Sequence, residues 1–457
     1  MAGIGFELRK LMQSGGFYGM LRAYGFAGLI SSGPWVFSIF GVMLIGILAA
    51  GHVEARAVVQ FLVSVTYLMA GSLILTGVLQ LLFSRFCADR LFEGKRELIV
   101  PNLLGTLTIT SIAAAVTGFG ILAFLFNSEP LVYRLAMLAS FVLLCDLWIV
   151  VVLLSGLKAY EAVLGLFFGG YGLSVCVALA LTRWGIVGLL GGFLVGQAVM
   201  FFSMLTLLIR NYPAGRQLVA YDFLDRRKVF ISLAFTGLFY NIGIWVDKFL
   251  FWMNPATSEH VIGPLRSSVI YDMPIFIAYL SIVPGMAVFL VRVETDFAEQ
   301  YDAFYTAVRE GDTLAHIEYL RDRMVFAVRQ GIYEIFKVQG MTVVVLLLVG
   351  PSLLKLIGIS LVYLRLFYVD LVGVGMQVLL LAILNVFFYL DQRAIAFGLT
   401  LFFTVANTLL TVLTQQLGAP FYGYGFAVSV SLTSALGLLL LSRKLERLEY
   451  ETFMLQK

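Results

Sequence analysis

Residues 24–50 read YGFAGLISSGPWVFSIFGVMLIGILAA, an uncharged and almost wholly apolar run. A helix needs about 20 such residues to cross a hydrocarbon core about 30 Å thick, and this stretch exceeds that. It is too long for the apolar core of a signal peptide, and no small-residue cleavage site follows it, so it reads as a retained span. Inside lipid each backbone N–H and C=O must be bonded within its own segment, so the run must be helical.

Working outward, the same reasoning predicts further spans at 57–83, 102–126, 135–157, 162–182, 186–209, 229–252, 269–291, 338–359, 367–390, 395–417 and 425–442. The composition agrees: 61% of residues are hydrophobic and 13% charged, and the mean hydropathy is +0.96, whereas a soluble domain is about one quarter charged. The expected fold class is an all-α integral membrane bundle of about twelve transmembrane helices. Counting both ends as cytoplasmic puts 24 of the 31 basic residues on the cytoplasmic side. Five fall in the opposite loops (Arg56, Arg134, Arg183, Arg266, Arg365), and Lys248 and Lys355 lie within spans. That bias sets the orientation. It also accounts for the formal net charge of +4 without a nucleic-acid partner.

The chain divides into an N-terminal amphipathic segment (1–23), a first lobe of six spans (24–209), a basic cytoplasmic linker (210–228), a second lobe of six spans (229–442) and a cytoplasmic tail (443–457). Gly33-Pro34-Trp35-Val36 and Gly243-Ile244-Trp245-Val246 occupy matching places in the two lobes. So do the glycine-rich turns Trp184-Gly185-Ile186-Val187-Gly188 and Tyr422-Gly423-Tyr424-Gly425. An even number of spans per lobe makes the repeat parallel. The insertion 292–337 accounts for the difference between the two offsets. It carries Phe297, Tyr301, Phe304, Tyr305 and Val308 at helical spacing, then Leu314, Ile317, Leu320, Met324 and Val328. Two short amphipathic helices are expected there, packed under the bundle, lying on headgroups or docking a cytoplasmic partner. The last use would fall to Phe297, Tyr301, Phe304, Leu314, Ile317, Leu320 and Met324.

The three cysteines (Cys87, Cys145, Cys176) form no CxxC pair and the three histidines are scattered, so no metal site, disulfide framework or cofactor is expected. Phosphate-loop, HExxH and GxSxG motifs are missing from the sequence, and the longest non-membrane segment is too short for a sugar-nucleotide domain. Catalysis is not expected. Chemistry resides instead in polar groups at membrane depth, where a charge costs at least about 2.5–3.5 kcal/mol and should face a cavity or a partner. Asp146 sits mid-span beside Trp148. Asp247 and Lys248 follow Asn241 and Trp245 in the seventh span, and Asp272 follows Tyr271 at the start of the eighth. These eight residues are the candidate transport path, with Asp146 the foremost candidate for proton or cation coupling. The plainer alternatives are an interhelical bond for Asp146, structural ion pairing with separate partners for Asp247 and Lys248, and helix-end caps for Asp272 and Asp370. Tyr24, Tyr171, Tyr240 and Tyr279 are further rings suited to stacking on sugars or to plain packing. Pro34, Pro274 and Pro284 permit kinks. Gly165–Gly169 and Gly192–Gly196 have the spacing of close helix crossings.

The opening Met1-Ala2-Gly3-Ile4-Gly5-Phe6-Glu7-Leu8-Arg9-Lys10-Leu11 and the later Ser31-Ser32-Gly33-Pro34-Trp35 resemble the PelG family of exopolysaccharide transporters. The resemblance extends over the whole chain. It implies the multidrug/oligosaccharidyl-lipid/polysaccharide flippase superfamily, with two six-helix lobes in a MATE-like bundle. It also implies a bacterial inner-membrane protein that carries Pel, an N-acetylhexosamine-rich biofilm polysaccharide, out of the cytoplasm. A cytoplasmic glycosyltransferase (PelF) and the membrane proteins PelD and PelE would be partners, alongside the polysaccharide and membrane lipid. Two other readings stay open: a cation-coupled small-molecule or drug antiporter, and a non-transporting scaffold of the synthase.

Overall fold

The computed structural model describes residues 16–156, 160–213, 215, 217–225 and 230–454. Side chains are described from Tyr24 onward, apart from Trp35, 155–156, 160–161 and Glu451. Most of the expected N-terminal segment therefore lies outside the described residues, as do parts of the basic linker and the end of the tail.

Each of the twelve expected runs is helical. In chain order these are α1 (Gly16–Ala49), α2 (Ala55–Phe92), α3 (Ile99–Leu125), α4 (Leu131–Gly156), α5 (Tyr160–Ala180), α6 (Gly185–Asn211) and α7 (Ile231–Met253). Then come α8 (Val269–Leu280) and α9 (Val283–Val291), α10 (Ala298–Glu310), α11 (Leu314–Ile357), α12 (Leu364–Tyr389), α13 (Arg393–Leu417), α14 (Tyr424–Glu446) and the short α15 (Leu448–Met454). Among the described residues, ten helices are long and apolar enough to cross a membrane, or eleven if α1, which bends at Pro34, counts as one span. The helix that falls short is α7, whose sequence carries Asn241, Asp247 and Lys248. The eighth expected span is two helices, because Pro284 stands at the start of α9 and cannot continue α8.

The chain forms two compact units. One runs from Gly33 to Ser268, and the other takes the start of α1 to Ser32 and everything from Val269. This division does not follow the expected boundary at 210–228, for α7 belongs with α2–α6. The reason is a backbone crossing: a methyl group built on Gly77 would meet the Gly237 carbonyl oxygen at 2.8 Å, and one on Gly237 would meet that of Gly77 at 2.2 Å. Only glycine on both helices lets α2 and α7 approach so closely.

Within the same unit α5 and α6 cross in the same manner. A methyl on Gly192 would lie 2.3 Å from the Ala178 nitrogen, and one on Gly196 1.9 Å from Ser174 Oγ. The other expected crossing pair, Gly165 and Gly169, has open space around both positions. The connector after α6 is clamped onto α3: Ala220 N donates to Pro101 O at 3.0 Å, and the buried Asn102 donates to Asp222 Oδ2 at 3.0 Å. A small hairpin, β1 (Glu259–Ile262) with β2 (Leu265–Ser267), closes the unit. It is tied to α2 by Gln60 Nε2 to Val261 O and Tyr67 OH to Arg266 O, and to the α3–α4 connection by Gly263 N to Glu129 Oε1.

In the second unit the expected pair of short amphipathic helices is replaced by one long hairpin. The helix α9 runs through a π-helical turn, Arg292–Phe297, into α10. After a turn at Gly311 the chain returns as α11, one helix from Leu314 to Ile357. The expected second short helix is thus the first part of a membrane-crossing helix. Nothing in 314–337 stops a helix, since the segment has no proline and a single glycine, Gly331, before the apolar run begins.

Candidate functional site

The polar chemistry of the first unit is organised along α2. Ser72, Thr76, Gln80 and Ser84 recur every four residues and so share one face. The Thr76 hydroxyl donates to Ser72 O at 2.7 Å, Gln80 Nε2 to Thr76 Oγ1 at 2.8 Å, and Ser84 Oγ to Gln80 O at 2.7 Å. From α4, Trp148 Nε1 donates to Ser72 Oγ at 2.9 Å. Asp146, two residues earlier, is 7% exposed. Its Oδ2 accepts from Ser111 Oγ of α3 at 2.6 Å, while its Oδ1 is buried with no hydrogen-bond partner among the described residues. Two of the expected path residues are therefore held by hydroxyls of α2 and α3. The four-residue period of α2 was the sequence signal for this seam, and the reading of hydropathy passed over it.

The seventh-span candidates lie on α7. Asn241 Nδ2 donates to Gly237 O at 2.9 Å, beside the crossing with α2. Trp245 is buried. Asp247 and Lys248 are 0% and 1% exposed. The two also meet each other, which their adjacent positions did not suggest: Lys248 Nζ reaches Asp247 Oδ1 at 3.3 Å and Oδ2 at 3.1 Å, and it donates to Ile244 O at 2.8 Å. The long lysine stem bends back along its own helix, so adjacent positions meet although their Cα–Cβ bonds diverge. The ammonium also lies 5.9 Å from the centre of the Trp245 ring.

Tyr271 and Asp272 belong to the second unit, on the first turn of α8. Tyr271 is fully buried and Asp272 half-buried. The Tyr279 hydroxyl donates to Gln377 Oε1 of α12 at 2.9 Å. Asp370, expected at a helix end, is fully buried in the second turn of α12. A methyl on Gly423 would lie 3.0 Å from its Oδ1. On α13 the buried face is polar: Thr400, Thr404, Asn407, Thr411 and Thr414. Thr411 Oγ1 donates to Asn407 Oδ1 at 3.0 Å. Asp370 and this threonine row were not among the expected path residues, although their spacing of four, three, four and three marks one helix face.

The expected partner surface is largely internal. Phe297, Phe304, Ile317 and Met324 are buried, and Tyr301 and Leu320 are half-buried. These rings and aliphatic groups are packed within the unit; Phe297, for instance, meets Tyr389 of α12 edge-on at 5.3 Å. Leu314, at the turn, is the one residue of the set that is exposed. The hairpin base is polar: Arg292 Nε donates to Glu334 Oε2 at 2.5 Å and its Nη1 to Asp296 Oδ2 at 2.6 Å. Glu294 accepts from Asn385 Nδ2 at 3.2 Å.

Each unit thus pairs buried carboxylates with rows of hydroxyls and amides inside apolar helices. Ionisable groups at membrane depth pair with one another or with backbone carbonyls, or mark substrate and ion pathways. Among the described residues no group of three or more histidine, cysteine, aspartate or glutamate side chains is placed to hold a metal ion. The profile of the PelG family, a putative exopolysaccharide exporter (EPS-E), matches residues 1–453. The chain belongs to the PelG family.

No curated protein matches the chain significantly. Several solved structures do. A MOP-superfamily transporter from Pyrococcus furiosus, described by the reverse polarity of its binding pocket, is 15% identical with a TM-score of 0.66, over 93% of this chain and 96% of that one. An outward-facing multidrug-resistance MATE transporter is 16% identical with a TM-score of 0.65, over 98% and 100%. An inward-facing MATE transporter is 14% identical with a TM-score of 0.61, over 98% and 99%. These likenesses establish the fold. This PelG-family chain is a multi-span membrane transporter with a MATE-like, nearly all-helical architecture.

Proposed function

We propose that the chain moves an N-acetylhexosamine-rich, Pel-like exopolysaccharide across a bacterial inner membrane into the periplasm, as the transport subunit of a synthesis and export complex. The observation that carries this reading is the exopolysaccharide-exporter family match over residues 1–453. The hydroxyl and amide seams of α2 and α13 agree with a path for a polyol. Both termini face the cytoplasm in this reading, on the strength of the basic-residue bias. A PelF-like glycosyltransferase would deliver the chain, and PelD- and PelE-like membrane proteins would hold the complex together. Asp146, Trp148, Asn241, Trp245, Asp247, Lys248, Tyr271 and Asp272 form the proposed path, to which we add Asp370 and Asn407.

One observation favours a second reading. Asp146 leaves one buried carboxylate oxygen without a hydrogen-bond partner among the described residues, as a coupling site for a proton or cation would. Cation-coupled antiport of a smaller solute would use the same atom. The test is deletion of the chain in its host, complemented with wild type or Asp146→Asn at matched membrane abundance. Polymer is then quantified outside the cells and hexosamine-containing material inside. Loss of surface polymer on deletion, and again with Asp146→Asn, supports export through a path that uses this carboxylate. Undiminished secretion on deletion sinks the export reading. Full secretion with Asp146→Asn removes that residue from the path.

A further inference from the structure

The hairpin of α10 and α11 presents exposed aromatic rings, one of which, Tyr319, stacks on His316 with the ring centres 6.2 Å apart. Tyr319 and Phe326 are 54% and 66% exposed. Seven residues apart, they lie on one face of α11, about 10 Å apart along its axis. Tyr333 and Phe336, also exposed, adjoin the apolar run that starts at 338 and suit a membrane-interface belt. Tyr319 and Phe326 lie further from that run, among charged residues of α11, where large exposed apolar surface marks a binding surface.

Both rings line a cavity of about 500 Å³, the size of a small-ligand pocket. Its remaining walls include Asp322, Arg323, Gln300 and Gln330, and its base holds Arg292 and Asp296. The π-helical turn supplies Arg292 and Asp296 from one segment, and such turns concentrate at functional sites. Two arginines and two aspartates leave the cavity without net charge. Arg292 is engaged by Asp296 and Glu334, Asp322 by Arg321 at 2.7 Å, and Arg323 lies 5.8 Å from the centre of the Tyr319 ring. With no surplus of positive charge, a phosphate or nucleotide finds little to bind. The inventory is instead two exposed rings, two carboxamides and fixed charged groups with hydrogen-bonding capacity to spare. That combination fits a neutral, ring-shaped polyol, with C–H faces on the aromatic rings and hydroxyl or acetamido groups on the polar walls.

We propose that this cavity is a binding site for a short stretch of oligosaccharide, seated across Tyr319 and Phe326. The inference rests on the export reading, in which this hairpin faces the cytoplasm. There the site would receive the growing chain before it enters the membrane.

The test uses the full-length protein in detergent, titrated with N-acetylglucosamine oligomers of increasing length and followed by saturation-transfer NMR and calorimetry. Affinity should rise with oligomer length. Tyr319→Ala or Phe326→Ala should weaken it about tenfold each, the scale of losing one good aromatic contact. Phe326→Tyr, which keeps the ring, should retain it, as should Phe92→Ala, an exposed ring of the other unit. Failure of the wild type to bind any oligomer overturns the proposal, and so does binding by both alanine variants as tight as that of the wild type. Release of a co-purifying membrane protein by Phe326→Ala, without any sugar binding, would give the face to a protein partner and end the carbohydrate assignment. Secretion in the complemented strain separates the two readings. Normal secretion without oligomer binding removes the cavity site and leaves export standing, whereas deletion without any secretion defect removes export itself.

Discussion

The ion pair on α7 withdraws two charges from water, and its energetics can be tested one residue at a time. Asp247 and Lys248 are both withdrawn from water, and their contact at 3.1 Å offsets only part of that penalty. Removing one member of a buried pair is worse than removing both, because a charge is then left without its counter-ion. Lys248→Met should therefore cost about 3–5 kcal/mol. Asp247→Asn with Lys248→Met should recover most of that loss. Thermal unfolding in detergent, followed by the fluorescence of nearby Trp245 and Trp252, would give the double-mutant cycle. Additive losses would show that each charge answers mainly to other groups. Should the double variant fold yet fail to export, the pair would serve transport rather than assembly. The sequence made both charges visible, since a carboxylate and an ammonium in an apolar run are conspicuous. It did not reveal their pairing, which depends on how the lysine stem folds back along the helix.

At the scale of elements, small residues decide which helices touch. Gly165–Gly169 and Gly192–Gly196 have the same spacing in sequence, and of these two pairs Gly192–Gly196 is the one that meets a neighbour, the backbone and Ser174 of α5. Gly196→Leu should lower stability by about 1–3 kcal/mol or prevent folding, because the crowded atoms are on or close to main chain. Gly165→Leu, in open space, should be tolerated. The same melting assay checks both, and a tolerant Gly196 would mean that α5 and α6 do not cross as described. Hydropathy made the helices legible because lipid imposes one solution on every apolar run. Periodicity failed on the hairpin for a physical reason. The apolar stripe of α10 and α11 has the same spacing whether it meets the neighbouring helix or a foreign protein, so Phe304 and Met324 were read as a partner surface. The continuation of α11 has another cause: an amphipathic, charged stretch and the apolar run after it read as two helices when hydropathy alone sets the start of the span. The hairpin β1–β2 escaped because its strands are too short to show alternation.

For the whole molecule, the sidedness of the loops converts charge bias into geometry. If the bias sets the orientation, the turn at Gly311 and the tip of the β1–β2 hairpin at Gly263-Pro264 face opposite compartments. The two sites are well suited to labelling: Asp312 and Pro264 are both exposed. The native thiols can be removed first, since Cys87 and Cys145 are buried and Cys176 is exposed. In that background, Pro264→Cys should react with a membrane-impermeant maleimide in intact spheroplasts. Asp312→Cys should react only after permeabilisation. The reverse pattern would invert the topology and place the Tyr319–Phe326 cavity in the periplasm, where it could receive only a chain already exported. Labelling of both sites from one side would mean an even number of crossings between them, against the single broken span of α8 and α9 that lies between Gly263 and Gly311. The result therefore fixes the direction in which any sugar bound at the hairpin must travel, before a single transport measurement is made.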